Sequence, residues 1–369
     1  MKNAALCLLL LLSSAALNAQ NVVNSVAKAT EFTIPVSPAF DLLAVSPSQI
    51  TRPSNIREFK VDWSFRSWRL KPNIAIQAQP IWELAYNRPD LTRYRKAPKW
   101  LKTLSTLDVS AGTIEDADQT RRASMALKIN LFRQRDPLND MRLFVGIDSN
   151  FRKRQDALTF QIHALKEQRR ATASAEKLAV TLAIDSLLQL RDVEARAQKA
   201  RIQEVAQTYV QAHWNAAHLD VAWGKVFSFD NPALDSLRLR GQASAVWANG
   251  SVGLNRKVLL TGMVKYLMQE ALDSLSKGGN VLSGGVGFRY GNPKFSFFSE
   301  LVFSRFDTPP SLEPATLNLT QVEQYSISYG GDWRINYNIL LSYGVRLDYS
   351  TGFRFKNIVP IAGVSCMMR

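Results

Sequence analysis

Three histidines, His163, His213 and His218, are the first residues to question for chemistry. His213 and His218 stand five apart, not at the i, i+4 spacing that sets two imidazoles on one helical face around a metal. They read as structural or interfacial histidines flanking Trp214. A hydrolase would need a serine beside a histidine, with a third group orienting the imidazole. Ser228 near His218 does not meet that requirement, and no Gly-x-Ser-x-Gly elbow occurs. Gly284-Gly285-Val286-Gly287 is glycine-rich but falls within a strand pattern, where it relieves crowding or bends a sheet rather than cradling phosphate. No carboxylate pair can be assigned to acid–base work. The sequence therefore carries no expectation of a catalytic residue, a cofactor or a metal, and the chain is not expected to be an enzyme.

The charged residues that remain share one feature: each sits opposite apolar neighbours in an alternating run. They are Lys60, Asp62, Arg66, Glu83, Lys128, Arg238, Arg240, Lys257, Lys265, Glu300, Asp332, Arg334, Arg346 and Asp348. If the runs are strands of a closed sheet, this set lines the lumen. There it either tunes an aqueous pore or pairs across the lumen and plugs it.

The runs themselves are long. Tyr325, Ile327, Tyr329, Gly331, Trp333 and Ile335 alternate with Gln324, Ser326, Ser328, Gly330, Asp332 and Arg334. After a tight connection at Asn336 the pattern resumes with Tyr337, Ile339, Leu341, Tyr343, Val345, Leu347 and Tyr349. Alternation over ~10 residues gives a strand with one apolar and one polar face. It also matches the ~9–11 residues a membrane strand needs, against about 5–6 in soluble domains. Similar runs occupy residues 59–66, 74–86, 124–131, 237–247, 258–266, 282–290 and 295–303, with weaker ones at 105–113, 141–151, 217–229 and 353–367. That makes about 13 candidates. Single-chain bacterial barrels have even strand numbers, so 14 strands are expected, with 12 as the alternative. Aromatics near strand ends, among them Trp82, Tyr86, Trp247, Tyr266, Tyr290, Tyr325 and Tyr349, resemble the interfacial girdles of such barrels. A soluble sandwich or lipocalin-like barrel is the competing architecture.

The N-terminus sets the compartment. Lys2, an apolar run from Leu6 to Leu12, and Asn18-Ala19-Gln20 read as a secretory signal peptide over residues 1–19, cleaved after Ala19. The run falls far short of the ~20 residues of a spanning helix. Cleavage leaves one cysteine, Cys366, and no intramolecular disulfide. The formal charge of +15 would point to nucleic acid in a cytosolic protein. Behind an export signal it points instead to anionic lipid headgroups or an anion-attracting lumen, and nucleic acid is not an expected partner.

Two stretches break the alternation. Residues 156–213 hold two parts, 175–190 and 193–206, rich in helix formers and free of glycine and proline. They predict a helical insertion between strands, either a solvated excursion or a surface for an envelope partner. Residues 20–56 include Pro35, Pro38, Pro47 and Pro53. Proline cannot donate to a ladder, so this segment is no ordinary strand. With Val36, Phe40, Leu42, Leu43, Val45 and Ile50, it is either a plug tucked into the barrel or a disordered leader.

Ser37-Pro38-Ala39-Phe40, Ser46-Pro47, Ile50 and Arg52-Pro53-Ser54 resemble the start of uncharacterised outer-membrane barrel proteins of Bacteroidota. Trp214-Asn215-Ala216 leading into Leu219-Asp220-Val221-Ala222 resembles them too. The two motifs cover under a tenth of the chain. The resemblance implies a Gram-negative outer membrane and no known catalytic residues. Barrels of that kind usually end in an aromatic residue read by the assembly machinery, whereas this chain ends Met367-Met368-Arg369.

The combined expectation is an all-β membrane protein: a transmembrane antiparallel barrel over residues 57–369, carrying a helical insertion. Its expected function is passive passage of small solutes, or else a structural, partner-docking role in an envelope or secretion assembly. Its expected partners are outer-membrane lipid, the barrel-assembly machinery and an envelope protein met through the insertion.

Overall fold

The alternating runs pair edge to edge and close into a ring. The structure, a computed structural model, describes residues 34, 36–50, 59–66, 73–86, 91–115, 121–136, 138, 149–171, 176–229, 239–270, 279–307, 322–336 and 338–368. Its strands are β1 (Phe59–Arg66), β2 (Asn73–Ala78), β3 (Asp108–Glu115), β4 (Arg121–Arg133), β5 (His218–Phe229), β6 (Leu239–Asn255), β7 (Val258–Gln269), β8 (Asn280–Gly291), β9 (Phe295–Phe306), β10 (Val322–Arg334), β11 (Ile339–Ser350) and β12 (Arg354–Met368). Each pairs antiparallel with its sequence neighbours, and β1 closes on β12 with Phe59 opposite Met368 and Val61 opposite Cys366. A closed ladder leaves no edge and satisfies every strand's backbone from the next.

The ring has twelve strands, which corrects the expectation of fourteen. Three of the four weaker candidates are β3, β5 and β12. The fourth, 141–151, falls mostly outside the described residues (141–148), and its residues 149–151 are helical. A second correction concerns residues 74–86. The strand stops at Ala78, and Pro80–Tyr86 forms a short helix, α1. Proline cannot continue the ladder but suits a helix's first position. Two more short helices follow before β3, α2 (Leu91–Lys96) and α3 (Lys99–Leu104).

An aromatic trio ties α1 to α2. Trp82 stacks on Tyr94 with centroids 4.9 Å apart and lies 5.0 Å from Tyr86, while Tyr86 meets Tyr94 edge-on at 5.5 Å. All three are buried, and burial pushes the Tyr86 phenol above its ordinary pKa. Removing a buried Trp typically costs about 3–5 kcal/mol. Trp82→Ala should therefore expose Arg93, Arg95 and Lys96 to trypsin within minutes while the barrel still migrates as a folded band on unheated gels. Unchanged tryptic resistance would mean the trio does not hold this connection.

The two ends of the ring differ. One carries the three-residue turn 351–353 and five connections of 5 to 15 residues; the other carries the two longest connections, 79–107 and 134–217, the start of β1, the end of β12 and three short turns, 256–257, 292–294 and 335–338. Each is organised by an asparagine. Asn255 Oδ1 accepts from Lys257 N at 2.8 Å, Asn292 Oδ1 from Lys294 N at 2.9 Å, and Asn336 Oδ1 from Asn338 N at 2.8 Å. These are Asx turns, in which the side chain mimics the backbone two residues on. The chain also leaves β4 and returns to β5 at this end. Trp214 and Asn215 brace it there. Trp214 Nε1 donates to Arg256 O at 2.9 Å, and Asn215 Nδ2 donates to Val258 O at 3.1 Å and to Asn255 O.

Residues 136–210 form a separate compact unit. It contains α4 (Ser149–Ala171) and most of α5 (Lys177–His213). The first helix starts at 149 rather than near 156, which extends the expected insertion. At 1.5 Å per residue, the second is roughly 55 Å long. Gln155 Nε2 reaches Arg191 O at 3.4 Å and Glu194 Oε2 at 3.2 Å, so the helices run antiparallel. Leu158, Ile162 and Ile184 are buried, whereas Phe160, Leu178, Leu182 and Val193 are exposed. No helix among the described residues is long and apolar enough to cross a membrane.

Candidate functional site: the filled lumen

The two faces of the ring reverse the usual order of a soluble protein. Val264 and Val286 are each 60% exposed on the outside, while Lys60 on the inside is fully buried. What buries the inner face is the N-terminal segment, residues 36–50.

The segment folds locally for ordinary reasons. Pro38–Leu43 is one short helical stretch whose N-cap is Ser37, with the Ser37 hydroxyl accepting from Phe40 N at 3.3 Å and Pro38 at the first position. It ends at Ala44, which takes left-handed angles (φ 56°). Such a residue costs roughly 1–2 kcal/mol outside glycine. The wall offsets this by gripping the turn: Arg346 donates to Ala44 O at 3.1 Å and to Ser46 O at 2.8 Å, and Lys265 donates to Asp41 O at 3.2 Å.

Apolar packing centres the segment. Phe40, Leu42, Leu43 and Val45 are buried against Ala75, Ile114, Ala126, Ala222, Val226, Ala243, Ala245 and Trp247. Ile50 is buried with Met263 and Val302. Half of these wall residues are alanine, and two glycines leave further room. A Cβ on Gly224 would fall 2.7 Å from Met125 O and 2.8 Å from Leu42 Cδ2, and one on Gly112 would be a tight fit, 3.3 Å from the Ala39 Cβ. Polar contacts fix the register. Asp62 accepts from Ser37 N at 2.9 Å, Ser110 from Ala39 N at 3.0 Å, and Ser124 donates to Ala39 O at 2.9 Å. At the far end Glu300 accepts from Ser48 Oγ at 2.5 Å, Gln49 N at 2.7 Å and Ile50 N at 3.3 Å. Gln49 Nε2 donates to Ser326 at 2.7 Å and to Ser328 at 3.0 Å.

Most of the remaining wall charges pair with one another toward the end that carries the Asx turns, while Asp348, near the opposite end of β11, bonds a serine. Lys60 Nζ lies 2.8 Å from Asp62. Lys128 Nζ lies 3.0 Å from Asp108 and 3.9 Å from Asp220. Arg289 pairs with Asp332, which also accepts from Ser342 Oγ at 2.6 Å. Asp348 accepts from Ser326 Oγ at 2.9 Å.

Of the fourteen residues expected to line the lumen, Lys60, Asp62, Lys128, Lys265, Glu300, Asp332, Arg346 and Asp348 meet the plug or other wall residues there. Arg66, at the end of β1, is partly buried. Three placements are corrected. Glu83 is exposed on α1 because the strand ends before Pro80. Lys257 is exposed in an Asx turn. Arg334 ends β10 and donates to the turn carbonyl of Asn336 at 3.2 Å. Arg238 and the Arg240 side chain lie outside the described residues. The sequence reading missed Asp108, Asp220 and Arg289. Arg289 alternates with Phe288 and Tyr290, so its parity alone could have found it. Asp108 and Asp220 sit in the runs ranked weakest.

The candidate chemistry does not assemble. His218 Nδ1 lies 2.6 Å from Ala216 O and 3.2 Å from Ser251 Oγ. Ser228 is ten positions along the same strand, about 33 Å at 3.3 Å per residue. His163 is exposed on α4. Among the described residues no three His, Cys, Asp or Glu side chains gather as a metal site.

No protein-family model matches the chain, and no curated protein matches it. Solved structures similar to it are barrels aligned at low identity. The translocator domain of the autotransporter NalP from Neisseria meningitidis is 11% identical over 85% of this chain and 90% of that one, with a TM-score of 0.32. Omp33, an outer membrane protein of Acinetobacter baumannii, is 7% identical over 85% and 98%, with a TM-score of 0.31. The CymD monoaromatic hydrocarbon channel is 8% identical over 91% and 95%, with a TM-score of 0.31.

Proposed function

We propose that this protein is an outer-membrane solute channel held closed by its own N-terminal segment. The membrane reading rests on the exposed apolar outer face together with aromatics at both ends of the ring. Tyr325 stacks on Phe353 of the 351–353 turn at 4.3 Å at one end, and Phe295 meets Phe297 at 4.7 Å beside the Asx turns at the other. Short turns conventionally face the periplasm, and three of the four turns under five residues lie at the end where the chain enters and leaves the helical insertion, so we assign that end to the periplasm.

The observation that carries the channel reading is the mismatch between the wall and its filling. A barrel meant to be solid fills its lumen with large inward side chains. Here much of the inner face opposite residues 36–50 is glycine, alanine and serine, with Ile114, Val226, Trp247, Met263 and Val302 among them, and a separate segment supplies the remaining bulk. The closed ladder cannot collapse inward, so withdrawing the segment leaves a polar pore.

Conductance in planar bilayers tests this. Wild type should be nearly silent, and a variant lacking residues 36–50 should conduct steadily. Ala39→Cys with Gly112→Cys, in a Cys366→Ser background, places two sulfurs where a disulfide can form and should remain silent even under conditions that open wild type. A folded deletion variant that stays silent, or a wild type with a large steady current, would overturn the reading.

The exposed Phe160, Leu178, Leu182 and Val193 on the helical unit favour a second role, docking of an envelope partner. Its sign would be co-purification of a partner that is lost when these four residues become Ser or Gln.

A further inference from the structure

Beyond the plug, toward the end that carries the 351–353 turn, lies a cavity of about 260 Å³. Its floor is residues 41–49 of the plug, and its walls are the upper ends of β6 to β9 together with Arg346. Trp247, Ser283, Ser304 and Gln49 line it, along with Lys265 and Arg346.

These two cations differ from the other basic residues of the inner wall. Lys60, Lys128 and Arg289 each have a carboxylate within 4 Å. Among the described residues Lys265 and Arg346 have none. Lys265 is half-buried. Its ammonium donates to one backbone carbonyl and lies 5.5 Å from the centroid of the Trp247 ring. Arg346 is 7% exposed, spends two Nη donors on plug carbonyls, and leaves its buried Nε without a partner. The one carboxylate in the lining, Asp41, accepts from Ser46 Oγ at 3.3 Å, so the lining stays net positive. Asp41 attracts Lys265, and Asp348 and Glu300 attract Arg346, only from beyond ion-pair distance; a buried cation with no carboxylate in contact is costly, and a guanidinium donor with no acceptor adds to that cost.

We propose that this cavity is a seat for a small solute bearing an oxyanion, either carboxylate or phosphate. The oxyanion would sit between Lys265 and the Arg346 guanidinium, the geometry in which charge-assisted hydrogen bonds are strongest. The paired hydroxyls of Ser283 and Ser304, 2.8 Å apart, and the Gln49 amide supply donors and acceptors for the rest of the molecule. The volume lies just below the 300–1,000 Å³ of drug-sized sites, so the solute is no larger than a simple sugar acid. The proposal deepens the channel reading by naming the charge class of the solute, but the seat belongs to the closed, plugged state and needs no opening.

The full chain in detergent micelles is titrated calorimetrically with inorganic phosphate, with glucuronate and with neutral glucose, at fixed ionic strength. Wild type should bind phosphate or glucuronate saturably and show no heat with glucose. Lys265→Met should weaken that binding at least tenfold, and Lys265→Arg should restore most of it, both variants keeping the folded gel mobility of wild type. Arg346→Met should weaken it likewise. Three results would each overturn the seat: no saturable binding of either anion by wild type, equal binding of glucose, or unchanged binding by folded Lys265→Met. Because the assay reads the closed protein, its failure leaves the conductance result standing, and the reverse holds as well.

Discussion

Lys128→Met should cost this barrel most of its stability. The Lys128 ammonium sits between Asp108 and Asp220 with a side-chain exposure of 4%, and Asp108 has none. Removing the cation leaves two carboxylates facing each other in a dry lumen. Breaking a buried pair by deleting one partner typically costs about 3–5 kcal/mol, a large share of a typical total stability of about 5–15 kcal/mol. The expected result is a strong loss of the fast-migrating folded band on unheated gels and a clearly lower urea midpoint in micelles. The triple variant Lys128→Met, Asp108→Asn, Asp220→Asn should recover most of the loss. It removes all three charges while amides remain to bond Gln79, which donates to Asp108 at 2.8 Å, and Asn130, which donates to Asp220 at 2.7 Å. A single variant as stable as wild type would show that the triad is hydrated and not structural.

That triad also marks where the sequence stops being readable. Alternation is a local property, so β10 and β11 stand out from Tyr325 to Tyr349 with no knowledge of the rest. Their pairing, Tyr329 opposite Val345 and Trp333 opposite Leu341, follows from one Asx turn at Asn336. Pro80 carried a legible warning that the run over 74–86 could not stay a strand, since the missing donor breaks the ladder there. The run at 141–151 had the right period, but 149–151 already belong to α4 and the rest lies outside the described residues, and period alone cannot tell a strand from the approach to a helix. The charges were harder still. Lys128 and Lys265 look alike in sequence, each a lysine in a strand between apolar neighbours. One faces Asp108 and Asp220 from two other strands, and the other faces a backbone carbonyl of the plug. The difference depends on the pairing of strands and on where residues 36–50 lie, and neither is a local property. The small residues were equally silent. Gly112 and Gly224 reveal their purpose only once Ala39 and Leu42 are seen against them.

Glu300→Leu should loosen one leg of the plug without ejecting it. Glu300 is buried and takes three donors from the segment, Ser48 Oγ, Gln49 N and Ile50 N. Leucine fills similar volume but accepts nothing. Each buried donor left unmet costs about 1–3 kcal/mol, so the Ser48 to Ile50 leg loses its charged anchor and keeps only the Gln49 amide bonds and the Ile50 packing. The other leg keeps its own. Phe40, Leu42, Leu43 and Val45 remain packed against the wall, at ~1.5–3 kcal/mol per large apolar side chain. Ser37 and Ala39 keep Asp62, Ser110 and Ser124. Several apolar anchors outweigh one lost carboxylate, so the pore should flicker between closed and small open levels in planar bilayers. It should not reach the steady current expected when residues 36–50 are removed. Glu300→Gln, which retains one acceptor oxygen, should stay close to wild type. Full steady conductance from Glu300→Leu would mean that this carboxylate, rather than the apolar cluster, holds the plug in place. Complete silence would mean that the Ser48 to Ile50 leg has no part in closing the pore.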